Sequence, residues 1–116
     1  MPCAICGHSR TEEAHVKPRE SFEDNEDDQM LNIILLCPTH HEEFDDGHIG
    51  IVSDKSGFLV QEGDSVSYTS SRANIHNVKD EYVEARNQLC SIELRLRLGL
   101  IPSATYLRIG FEPDSL

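Results

Sequence analysis

Two short-spaced ligand pairs, Cys3-x-x-Cys6 and Cys37-x-x-His40, constrain this 116-residue chain more than any other feature. Three thiols and one imidazole are a set that tetrahedral zinc takes readily, and the two-residue gap lets one turn present both members of a pair. Four protein ligands fill the shell, so such an ion is structural, and residues 3–6 must fold against residues 37–40. Metal-bound rather than disulfide-bonded cysteines suit a reducing compartment. The N-terminus has no basic stretch leading into an apolar one, so the chain is expected to be cytosolic. Its longest apolar run, Ile33 through Cys37, is far short of the roughly 20 residues of a membrane helix, and no membrane partner is expected. Cys90 stands apart from the set and reads as a small core residue. His48 and His76 read as surface histidines.

Around these pairs the pattern predicts a small α+β domain. Residues 11–17 read as a short strand stopped by Pro18, and Ile33–Leu36 as a buried one. Pro38 suits the first turn of a helix running to about Asp46, with Gly47 just past its end. Residues 49–52 and 58–60 read as a hairpin around Asp54-Lys55-Ser56-Gly57, followed by a Ser-rich connection at 65–71. Ile75, Val78, Tyr82, Ala85, Leu89, Ile92 and Leu96 recur at spacings of three and four. That seam predicts one long helix over residues 70–99, able either to pack on the rest of the chain or to pair with its copy in a homodimer through 75–96. Residues 103–116 read as one more strand, with Tyr106, Ile109 and Phe111, or a loose tail. The whole is expected to be a single domain: core 1–52, connection 53–69, helix 70–99 and tail 100–116.

A second group of residues is threaded through the zinc ligands: His15 in Glu13-Ala14-His15-Val16-Lys17-Pro18, Asn32 before the apolar strand, and His41, nine residues after Asn32 and followed by Glu-Glu-Phe-Asp-Asp-Gly. Over residues 3–52 this order resembles the zinc-bearing branch of the HNH endonucleases, also called His-Me finger or ββα-metal nucleases. The resemblance implies a ββα-metal fold and metal-dependent hydrolysis of a DNA phosphodiester. The reaction needs a base to activate water and a cation to stabilise charge on the phosphate and leaving oxygen. His15 is the expected base. His41 and Asp45, four apart on one helix face, are the expected ligands of a divalent ion such as Mg2+, Mn2+ or Ni2+. Asn32 would either hold the His15 loop or contribute to the ion site. Many family members carry a ligating Asp or His just before the base, where this chain has Ala14. Glu13, two residues from His15 on the same strand face, and Asp45 are the substitutes, Asp45 being preferred because it shares the helix with His41.

The net charge of −11 argues against broad non-specific nucleic-acid binding. Residues 1–48 carry 12 acidic and 3 basic groups, with acidic residues crowded at 20–28 and 42–46. The basic groups available to phosphates are Arg10, Lys17, Arg19, Arg72 and Lys79; Lys17 and Arg19 flank the expected base and are the best phosphate contacts. So few charges imply weak, strongly salt-dependent binding. The rival expectation is a non-catalytic zinc module of the same fold that binds nucleic acid or a protein.

Overall fold

A computed structural model of the chain describes residues 1–18 and 31–100. The acidic segment at 20–28, Arg19 and the tail from 101 onward lie outside the described residues. The elements run β1 (Glu12–His15), β2 (Ile33–Leu36), α1 (Pro38–Asp45), β3 (Ile49–Ile51), β4 (Gly57–Glu62), β5 (Ser65–Ser70), α2 (Asp80–Asn87) and α3 (Ile92–Arg97). The result is a small α+β fold whose N-terminal third is the predicted ββα unit.

β1 and β2 pair antiparallel, with Glu12 opposite Leu36, Ala14 opposite Ile34 and His15 opposite Ile33. Alternation does the sorting: Ala14, Ile34 and Leu36 are buried on one face, while Ile33 and Leu35 are half-buried on the other. α1 follows directly, with Cys37 at its N-cap and Pro at the first helical position. Its Phe44 is fully buried and anchors the helix in the core. The helix ends at Gly47, whose φ of +83° favours glycine. A Cβ there would also lie 2.7 Å from the Leu89 carbonyl, because the end of α1 abuts the α2–α3 connection.

Three corrections to the sequence reading concern the second half. The Ser-rich stretch is not a bare connection: β5 pairs antiparallel with β4, which pairs with β3, giving a three-stranded sheet in place of a two-stranded hairpin. The turn at Gly63 allows it, and alternation lets the polar serines of β5 stay wet on an outer strand. The single long helix is two short ones. α2 ends at Asn87, whose side-chain amide pairs with β3, accepting from Ile51 N–H (3.0 Å) and donating to Ile51 C=O (2.8 Å). Ser91 then caps α3 by accepting from Leu94 N–H, and its own N–H donates to the Gly47 carbonyl. The three-and-four spacing covers a loop that buries Ile75 and Val78, an α2 that buries Tyr82, and an α3 whose Ile92 and Leu96 are only half-buried. The dimer seam therefore loses its surface: Ile75, Val78 and Tyr82 are buried in this chain's own hydrophobic cluster, which extends from Cys3 to Val83. Leu89 alone of that seam's large residues faces solvent. No helix among the described residues is long and apolar enough to cross a membrane.

Candidate functional site

The two ligand pairs meet where the N-terminal knuckle lies against the start of α1. Cys3 N–H donates to the His8 carbonyl and Gly7 N–H to the Cys3 carbonyl, closing a turn that needs the positive φ of Gly7. Ala4 N–H donates to the Leu35 carbonyl and Arg72 N–H to the Ala4 carbonyl, so β2 and the segment after β5 brace the knuckle. The Sγ atoms of Cys3, Cys6 and Cys37 and a ring nitrogen of His40 all lie within 4.8 Å of one another. Cys6 and Cys37 Sγ are 3.8 Å apart, and His40 Nδ1 is 3.7 Å from Cys3 Sγ and 3.4 Å from Cys37 Sγ. A tetrahedral zinc with bonds of about 2.3 Å to sulfur and about 2.0 Å to nitrogen has ligand-to-ligand edges of about 3.5–3.8 Å. The donor set and its spacing fit that ion, with Nδ1 as the ligating nitrogen of His40. Burial opposes ionisation of the Cys3 thiol, but backbone N–H groups at Cys6, Cys37 and Ile5, together with the His40 ring, outweigh it and bring Cys3 to about 6. Burial, with the neighbouring Cys6 and Cys3 sulfurs, pushes Cys37 up. His8 stays exposed and accepts from Arg10 N–H.

His41 is the next residue of α1, about 100° around the helix, and serves a different cluster. Its Nδ1–H donates to Glu12 Oε1 at 2.8 Å, and its Nε2 lies 3.3 Å from Asp45 Oδ2. In the neutral ring that first bond fixes the proton on Nδ1 and leaves the Nε2 lone pair aimed toward a carboxylate oxygen. Two acceptors facing each other at this distance suit a cation shared between them. Ala14 is sealed in the core, so the strand offers no ligand from that position. The strand carboxylate that reaches His41 is Glu12, which shares the Ala14 face, and not Glu13, which is exposed on the other.

Asn32 is fully buried. Its Oδ1 accepts from Lys17 N–H at 2.7 Å and its amide nitrogen donates to the Lys17 carbonyl at 2.9 Å, while its own carbonyl accepts from Val16 N–H. The amide is committed to the backbone that follows His15. His15 itself ends β1, half-buried. Its carbonyl and Asp45 Oδ1 share one guanidinium nitrogen, Nη2 of Arg86, at 2.7 and 3.5 Å. Arg86 also donates to Val16 C=O (2.6 Å) and Phe44 C=O (3.3 Å) and lies 4.3 Å from the centre of the Phe44 ring. Lys17 and Lys79 carry their ammonium groups 6.0 and 5.4 Å from the centre of the Tyr82 ring.

Sequence reasoning missed Glu12 and Arg86. The signal for Glu12 was its position two residues from Ala14 on one strand face. The signal for Arg86 was a charge at the i+4 step between Tyr82 and Cys90, inside an otherwise apolar stripe.

A family model described as HNH endonuclease matches residues 3–52, the span that holds both clusters. Those residues belong to the HNH endonuclease family. Among solved structures, a modification-dependent TagI restriction endonuclease shares the fold with a TM-score of 0.61 at 20% identity, covering 77% of this chain and 33% of that one. The part of that enzyme matched by this chain is about a third of its length. No curated protein matches it.

Proposed function

We propose that this chain is a metal-dependent endonuclease that hydrolyses DNA phosphodiester bonds. One observation carries the reading: within an HNH segment, a histidine with one nitrogen tied to Glu12 presents the other toward Asp45. In this reading Cys3, Cys6, Cys37 and His40 hold a structural zinc, which fastens the knuckle to the first turn of α1. His15, at the end of β1, accepts the proton from the attacking water. His41 Nε2 and Asp45 Oδ2 hold a divalent ion, Mg2+ or one of Mn2+ and Ni2+, with water completing the shell. When bound, that ion supplies charge stabilisation at the phosphate and leaving oxygen. Asn32 keeps the turn after His15 in place through both of its amide atoms. Lys17, whose backbone Asn32 holds, and Arg19 contact flanking phosphates.

The test is cleavage of supercoiled plasmid in Mg2+, Mn2+, Ni2+ or EDTA, comparing the native chain with His15→Ala. Metal-dependent loss of the supercoiled form that disappears in His15→Ala is the expected result. Absence of cutting, or equal cutting by both proteins, would overturn the role of His15 and favour the non-catalytic binding module, for which the net charge of −11 speaks.

A further inference from the structure

The family match ends at residue 52, yet the cluster around His41 is not complete there. Arg86 reaches it from α2, more than thirty residues beyond the matched span, and is only 3% exposed. A guanidinium so far from water must be paired. Its partners are the His15 and Val16 carbonyls at the end of β1, the Phe44 carbonyl at the end of α1, and the Asp45 carboxylate. One planar group with donors in fixed directions thus spans the two element ends that carry the expected base and the expected ion ligands. At Asp45 the division is by oxygen: Oδ1 lies toward Arg86 and Oδ2 toward His41.

We propose that Arg86 is a positioning residue of the nuclease site. It turns Asp45 so that Oδ2 meets a divalent ion beside His41 Nε2, and it fixes the end of β1 against the end of α1. The working unit of this nuclease therefore includes α2. This inference rests on the nuclease reading, and specifically on an ion at His41 and Asp45.

Two alternatives predict different signs. A guanidinium that acted merely as a nearby positive charge would repel the ion, so its removal would tighten ion binding. A guanidinium that served the fold alone would leave ion affinity unchanged and lower the melting temperature. A partner that orients a ligating carboxylate loses about 10- to 100-fold in metal affinity when replaced.

The experiment is Mn2+ titration of the full, zinc-loaded chain, reading free Mn2+ by electron paramagnetic resonance. It compares the native protein, Arg86→Met, Arg86→Lys and His41→Ala, with zinc content and melting temperature measured on each. The native chain should bind one Mn2+ beyond its zinc, and His41→Ala should lose it. Arg86→Met should bind Mn2+ at least about 10-fold more weakly while keeping zinc, and Arg86→Lys should recover part of the loss. Should Arg86→Met fail to fold, Arg86→Lys carries the test, because lysine keeps the charge and lacks the fork; its Mn2+ affinity should then fall clearly below native. Unchanged or tighter Mn2+ binding in folded Arg86 variants would overturn the positioning role and leave the nuclease reading standing. No Mn2+ bound by the native chain would overturn the ion site itself, and this inference with it.

Discussion

His40 and His41 are neighbours in the chain and belong to opposite kinds of site. His40 joins three sulfurs in a group with Cys3 and Cys37 buried, Cys6 exposed and the four donor atoms spaced as the corners of one tetrahedron. His41 faces carboxylates that are about half exposed, Glu12 at 48% and Asp45 at 54%, and its two nitrogens point to different partners. With four protein ligands the closed cluster would have no position left for a substrate, whereas the half-exposed carboxylates of the open one are reached by water. One helical turn, entered through Pro38, thus presents a thiol-rich cluster on one side and a carboxylate-flanked histidine on the other. The two rings are both half-buried, so what separates them is the partners that a step of about 100° around the helix gives each: three thiols for His40, two carboxylates for His41.

The comparison can be broken hardest at the closed cluster. Cys37→Ser, or strong chelation, should remove zinc and unfold the chain. Binding free energies of structural zinc, about 10–16 kcal/mol, are as large as the whole stability of a small domain. Far-UV circular dichroism with zinc analysis checks this; a folded, zinc-free variant would count against a structural role for the ion. At the open cluster the same kind of change should leave the fold intact. His41→Ala should keep zinc and its melting profile and lose cleavage, and His15→Ala should slow cleavage by about 10²–10⁴-fold. Supercoiled-plasmid assays on zinc-loaded proteins separate the two.

Asn32→Ala should sit between the clusters in its effect. It leaves the Lys17 N–H and carbonyl without their partner, at a cost of about 2–3 kcal/mol, read from urea unfolding. Glu12→Gln should be milder still for the fold and weaken the second ion by about 10- to 100-fold, since an amide can no longer hold the His41 ring as a carboxylate does. Equal Mn2+ affinity in Glu12→Gln and the native chain would argue that Glu12 is a bystander. The smallest effect concerns the remaining thiol. Burial pushes Cys90 up to about 11, against the opposing pull of Arg86 and Arg95, and its Sγ–H donates to the Ile49 carbonyl. Iodoacetamide at neutral pH should therefore leave Cys90 of the folded, zinc-loaded chain unlabelled and label it once urea unfolds the chain.

The closed cluster was fully legible in the sequence because ligand spacing is local chemistry: Cys3-x-x-Cys6 and Cys37-x-x-His40 need only one turn each to make their geometry. The ββα unit was legible for a related reason, since alternation in Ile33–Leu36 and the Pro38 and Gly47 signals act over a few residues. The second half was not. A three-and-four spacing marks which residues are apolar on one side, and a loop followed by two short helices satisfies it as well as one long helix does. The break is held by tertiary contacts: Ser91 caps α3 while its N–H bonds to Gly47, and Asn87 at the end of α2 pairs with the Ile51 backbone. Glu12 and Arg86 escaped for the same reason, since their importance lies in partners 29 and 41 residues away.

The clasp between Asn32 and Lys17 has a consequence for how this scaffold can vary. It ties together the two points from which the chain departs before residue 19 and to which it returns after residue 30, and it does so with side-chain and backbone atoms that sit outside that excursion. The register of β1 on β2, and with it the placement of His15, is thereby set independently of the intervening length. A single deletion within Ile33–Leu36, by contrast, would turn the β2 side chains on one side of it to the wrong face and break the register that places His15.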